Sequence, residues 1–83
     1  MQNPLRSMAA LRAAIDQVDS KILALLSERG QLAHAVGELK RADGDTHFYH
    51  PDRESEILRR IMQENAGPFT DAQVASIYRE IIS

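Results

Sequence analysis

Three ionisable residues stand in register with the apolar residues of this chain: Arg29, Lys40 and Glu54. Arg29 fills the slot after Leu25 in a series spaced by threes and fours: Met8, Leu11, Ile15, Val18, Ile22 and Leu25, then Leu32, Val36 and Leu39. A guanidinium in an apolar seam needs a partner, because an unpaired buried charge is very costly. Lys40 follows Arg29 by eleven residues, three helical turns plus about 20°, so both project from one side of a helix about 16 Å apart. Glu54 lies four residues before Leu58 and seven before Ile61, on the inward stripe of a second helix. Spacing leaves two readings open. One is a buried ion pair between Arg29 and Glu54 with Lys40 snorkelling to solvent. The other is a cavity with two cations and one carboxylate, suited to a small polyanion that also carries a hydroxyl.

Other residues offer less. Arg12 precedes Arg29 by seventeen residues, about 25 Å along the axis and turned by about 100°. It cannot join the same site within its own chain; it is a surface residue, or it reaches the site of an antiparallel partner. His47 and His50 have a three-residue gap, but no cysteine or further ligand set accompanies them, so a metal is not expected. Asp43, Gly44 and Asp45 begin like a calcium loop and lack its later spacing and terminal glutamate. His34, in mid-helix, reads as half-exposed and inert. No glycine-rich phosphate loop and no Ser/His/Asp set can be assembled.

The elements that must position these groups are all helices. Asn3-Pro4 reads as a helix start, and the apolar series runs to about Arg41. Ala42-Asp43-Gly44-Asp45 ends that helix, and Pro51 begins a second, with Asp52 and Glu54 near its positive end. The stripe Ile57, Leu58, Ile61, Met62 runs out at Asn65-Ala66-Gly67-Pro68. Thr70 and Gln73 form a capping box for a third helix, with Phe69 and Val74 as its hydrophobic staple. Val74, Ile77, Tyr78, Ile81 and Ile82 are its expected buried face. Gly30 and Gly37, seven apart, are either tolerated in a long helix or mark the close approach of another.

Eighty-three residues make one small domain whose core is marginal without support. There is no cysteine, which removes disulfides and is compatible with a reducing cytoplasm. No apolar run is long enough to span a membrane, and the first residues lack the form of a signal peptide. A net charge of −2, from 10 basic and 12 acidic residues, argues against a nucleic-acid partner. A first helix of about 38 residues would be a rod of roughly 55 Å, against a radius of gyration of about 12 Å for a globule of this size. Its stripe needs cover from a second copy, which predicts a homodimer.

These residues resemble a known family. The run Leu11-Arg12-x-x-Ile15-Asp16-x-x-Asp19-x-x-Ile22-x-x-Leu25-Leu26-x-x-Arg29, followed by Val36-Gly37-x-x-Lys40, is similar to the all-helical chorismate mutases. Tyr49-His50-Pro51-Asp52-Arg53-Glu54 looks like the family's Pro-x-Arg-Glu motif. The segment from Gly67-Pro68-Phe69-Thr70 to Ile81-Ile82-Ser83 is similar to the mutase domain that opens bifunctional chorismate mutase–prephenate dehydratases. The resemblance implies an all-α fold of three helices in an intertwined homodimer. It also implies a cytoplasmic isomerase of phenylalanine and tyrosine biosynthesis that converts chorismate to prephenate. That unimolecular Claisen rearrangement needs no metal, organic cofactor or protein nucleophile.

By position in the family, Arg29 would hold one substrate carboxylate and Arg12 of the other chain the second. Lys40 would reach a carboxylate and the ether oxygen, and Glu54 would accept from the hydroxyl. Arg53 stands beside Glu54 in the motif, and His50 takes a position where the family uses a backbone contact and some members carry aspartate. The family's third helix continues beyond the point where this chain stops and supplies a further polar group near the ether oxygen. The expectation is therefore a mutase domain over residues 1–83, cut within its third helix and impaired for that reason. Isochorismate–pyruvate lyase, which resembles the same fold, and a non-catalytic helical dimerisation or regulatory module are the alternatives.

Overall fold

A computed structural model describes residues 7–44 and 50–83. They form three helices, α1 (Met8–Ala42), α2 (Pro51–Glu64) and α3 (Asp71–Ile82), with no strand among the described residues. None of these helices is long and apolar enough to cross a membrane. The chain falls into two compact units, Met1–Gly44 and Asp45–Ser83.

The first unit is built on α1, whose 35 residues correspond to about 53 Å of helix. Asn3 and Pro4, the expected helix start, lie outside the described residues. The described helix opens at Met8, where the Ser7 hydroxyl accepts from the Ala10 amide at 3.0 Å. That contact satisfies one of the free amides every helix N-terminus presents. At the other end Lys40 and Arg41 complement the negative end of the helix dipole. The Asp43 amide donates to the Leu39 carbonyl at 3.1 Å, and Gly44, at φ +79°, donates to the Arg41 carbonyl. A left-handed residue just beyond a helix is where glycine avoids the penalty a Cβ would bring.

No residue of α1 is buried. The expected stripe, Met8 to Leu39, is present on the helix and lies open: each of its members is between 41% and 65% exposed. Leu23 and Leu26 widen the apolar surface on one flank. Neither helical glycine is needed for packing within the chain. A Cβ at Gly30 would meet nothing within 4 Å, and one at Gly37 would meet only the Arg41 guanidinium, at 3.9 Å.

The second unit has a small core where α2 meets α3. Ile57 and Ile61 of α2 and Val74 of α3 are buried together, with Tyr78 and Ile82 packed against them. Ala75 is also buried, while Leu58 and Met62 are half-buried. The turn between the helices is held by Asn65, whose amide nitrogen donates to the Phe69 carbonyl at 2.8 Å and to Asp71 at 3.1 Å. The Gly67 amide donates back to the Asn65 side-chain oxygen at 3.3 Å. The capping box forms as expected: Gln73 N donates to Thr70 Oγ1 at 3.1 Å, and Thr70 N to Gln73 Oε1 at 3.0 Å.

The buried face of α3 is narrower than the apolar pattern suggests. Val74, Ala75, Tyr78, Ile81 and Ile82, all buried or half-buried, fall within an arc of about 120°. Ile77 projects about 40° outside that arc and is 47% exposed. Phe69, the expected staple partner of Val74, is likewise exposed.

Candidate active site

The candidate residues fall into two groups, one on each unit. On α1, Arg29 and Lys40 are half-buried although the apolar residues between them are exposed. Long side chains that lie along their own helix shield their stems in this way. Arg12, about one turn into the same helix from its N-terminus, is exposed. Arg12, Arg29 and Lys40 make no ion pair among the described residues, whereas Arg41 is engaged by Glu38. Three cations therefore project from one helix with no ion-paired acidic side chain among the described residues.

The second group is the opening turn of α2. His50 is the N-cap, half-buried, and Pro51 takes the first helical position, where its missing amide hydrogen costs nothing. The Glu54 amide donates to the His50 carbonyl at 3.1 Å, closing the first helical turn. Glu54 is half-buried on the side of α2 that carries Ile57 and Ile61, and no ion pair reaches its carboxylate among the described residues. Arg53 is exposed and its guanidinium is paired with Glu56.

His34 is more exposed than expected and faces Glu38 at 3.6 Å. Asp45 and His47 lie outside the described residues. Among the described residues no group of three or more His, Asp or Glu side chains could hold a metal ion. Among the contacts not anticipated from sequence are the Asn65 turn and the Arg53–Glu56 pair. The second had a legible signal, since residues three apart are neighbours on a helix surface.

The described residues are thus all helical, with cations spaced along α1 and an acidic residue in the opening turn of α2. The model of the family described as chorismate mutase type II matches residues 11–83. The chain belongs to that family. It is 51% identical over 72 residues to the bifunctional chorismate mutase/prephenate dehydratase of Neisseria gonorrhoeae, covering 87% of this chain and 19% of that protein. It is 40% identical over 57 residues to the chorismate mutase of Methanocaldococcus jannaschii, covering 69% of this chain and 57% of that protein. A solved structure of chorismate mutase from Thermus thermophilus is similar at a TM-score of 0.85 and 43% identity, covering 89% of this chain and 91% of that one. The chain spans only about a fifth of the length of its bifunctional relatives, from 19% to 23%.

Proposed function

We propose that residues 1–83 form one chorismate mutase domain that converts chorismate to prephenate. The observation that carries this reading is the family match over residues 11–83, which takes in Arg12, Arg29, Lys40, His50, Arg53 and Glu54 together. In the reaction the ether C–O bond breaks as a C–C bond forms between the two ends of the same molecule. No atom leaves and no proton moves. The protein's task is to hold the dicarboxylate in its compact, chair-like conformer and to stabilise charge growing on the ether oxygen.

The side chains divide that task. Arg29 binds one carboxylate in the bidentate manner open to a guanidinium. Lys40 donates to a carboxylate and to the ether oxygen, the atom whose charge grows in the transition state. Glu54 accepts from the substrate hydroxyl, and Arg53 beside it adds positive charge for a dianion. His50 lines the same end of the site. The second carboxylate falls to Arg12 of a second copy, because seventeen residues of helix separate Arg12 from Arg29 within one chain. The uncovered stripe of α1 supports a homodimer. The protein works in the cytoplasm, in aromatic amino acid biosynthesis.

The test is consumption of chorismate and of isochorismate, side by side, by the protein and its Arg29→Ala variant. The mutase reading expects prephenate from chorismate, no pyruvate from isochorismate, and a loss of about 100-fold or more in kcat/KM for the variant. Melting is followed in parallel to separate lost chemistry from lost fold. Pyruvate release would establish the lyase, and turnover of neither substrate would leave a dimerisation module.

A further inference from the structure

The open stripe of α1 restricts how a second copy can lie on it, first through charge. Arg29 and Lys40 stand in the stripe's own register and have no ion pair among the described residues. A parallel, in-register pair would set Arg29 against its own copy, and Lys40 likewise, in a low-dielectric seam where like charges repel most strongly. An antiparallel pair sets each against the N-terminal half of the stripe, Met8 to Leu25, which is apolar throughout. The second restriction is where α1 is most apolar. Ile22, Leu23, Leu25 and Leu26 are each between 40% and 67% exposed. They lie near the middle of Met8–Ala42, so a two-fold axis passing among them overlaps most of both helices. The proposed site sets limits of its own. Bringing Arg12 level with the partner's Arg29 puts the axis between Ser20 and Lys21, and bringing it level with the partner's Lys40 puts the axis at Leu26. The apolar cluster falls inside those limits.

We propose that two copies of α1 pack antiparallel about a two-fold axis level with Leu23 and Ala24. This rests on the homodimer of the proposed function and deepens it by naming the register. Ile22 meets the partner's Leu25, and Leu11 meets the partner's Val36. Arg29 meets the partner's Val18, an apolar side chain that leaves its charge for the substrate. Arg12 stands about 9 Å along the helix from the partner's Arg29 and about 8 Å from the partner's Lys40, between the two cations whose site it completes.

The chain has no cysteine, so a single introduced thiol reports one position. In this register Ile22→Cys and Leu25→Cys each place a thiol about 5 Å along the axis from its own copy, close enough for a disulfide. Leu11→Cys and Val36→Cys hold theirs about 38 Å apart. Mild oxidation followed by non-reducing electrophoresis is expected to link the first two variants and to leave the last two unlinked. Refolded together, Leu11→Cys and Val36→Cys should link to each other, in about half of the dimers. Circular dichroism checks the fold of each variant, and Leu25→Cys reads the same axis if Ile22→Cys does not fold. Linkage of Leu11→Cys or Val36→Cys to its own copy would establish a parallel pair and overturn the proposal. So would an unlinked mixture in which native mass spectrometry finds mixed dimers. A wild-type protein that is monomeric by the same measurement would overturn the homodimer, and the register with it. None of these readouts depends on chorismate turnover, so a failure of the mutase reading is seen separately.

Discussion

Arg29 and Lys40 carry the same charge on the same side of one helix, yet the proposed reaction asks different things of them. The carboxylates of chorismate are charged before and during rearrangement, so an arginine that binds one acts on ground state and transition state alike. The ether oxygen gains charge only as its bond breaks, so a donor aimed at it acts on kcat. Lys40→Ala is therefore expected to lower kcat by about 100-fold or more, with a smaller change in KM. Pre-steady-state turnover with saturating chorismate measures this directly. A variant that lost only affinity would remove Lys40 from the ether oxygen. Lys40 was legible in the sequence because eleven residues return a helix to nearly the same side. Arg53 was legible as a motif residue, and the three-residue spacing to Glu56 carried a signal for their pairing that went unread.

At the scale of elements, the three helices followed from local chemistry, and so did the ends at Asp43-Gly44, Pro51 and Thr70. Pro51, the Thr70–Gln73 box and the Asp43-Gly44 stop each act through backbone groups within four residues, so they can be read one stretch at a time. The Asn65 turn could not be read this way: its contacts with Phe69 and Asp71 depend on the path of the loop. The buried face of α3 was overestimated for a related reason. An apolar residue such as Ile77 marks a surface that can be covered, not the element that covers it. Gly30 offers a direct test of α1. It is exposed, and a Cβ there meets nothing within the chain. Gly30→Ala is expected to stabilise the protein by about 0.5–1 kcal/mol by restricting the unfolded chain and favouring helix. Denaturant melts at fixed protein concentration measure it. Destabilisation would mean that another helix approaches Gly30 closely enough to need the missing side chain.

For the whole molecule, the decisive feature is the stripe on α1, readable in sequence and left open in the single chain. Burying four or five such residues is worth on the order of 10 kcal/mol in apolar transfer, enough to offset much of the cost of association. In the proposed homodimer a second copy would supply an identical stripe, and a two-fold pair would bring each Arg12 to the other chain's Arg29. Complementation tests that arrangement. Arg12→Ala alone and Arg29→Ala alone each damage both sites of a homodimer. When the two variants are unfolded together and refolded, about half of the dimers are mixed. One site of a mixed dimer then carries both substitutions and the other carries neither. The mixture should regain about a quarter of wild-type activity, while each variant refolded alone stays inactive. Activity no greater than the sum of the separate variants, with mixed dimers confirmed by native mass spectrometry, would place Arg12 outside the partner's site.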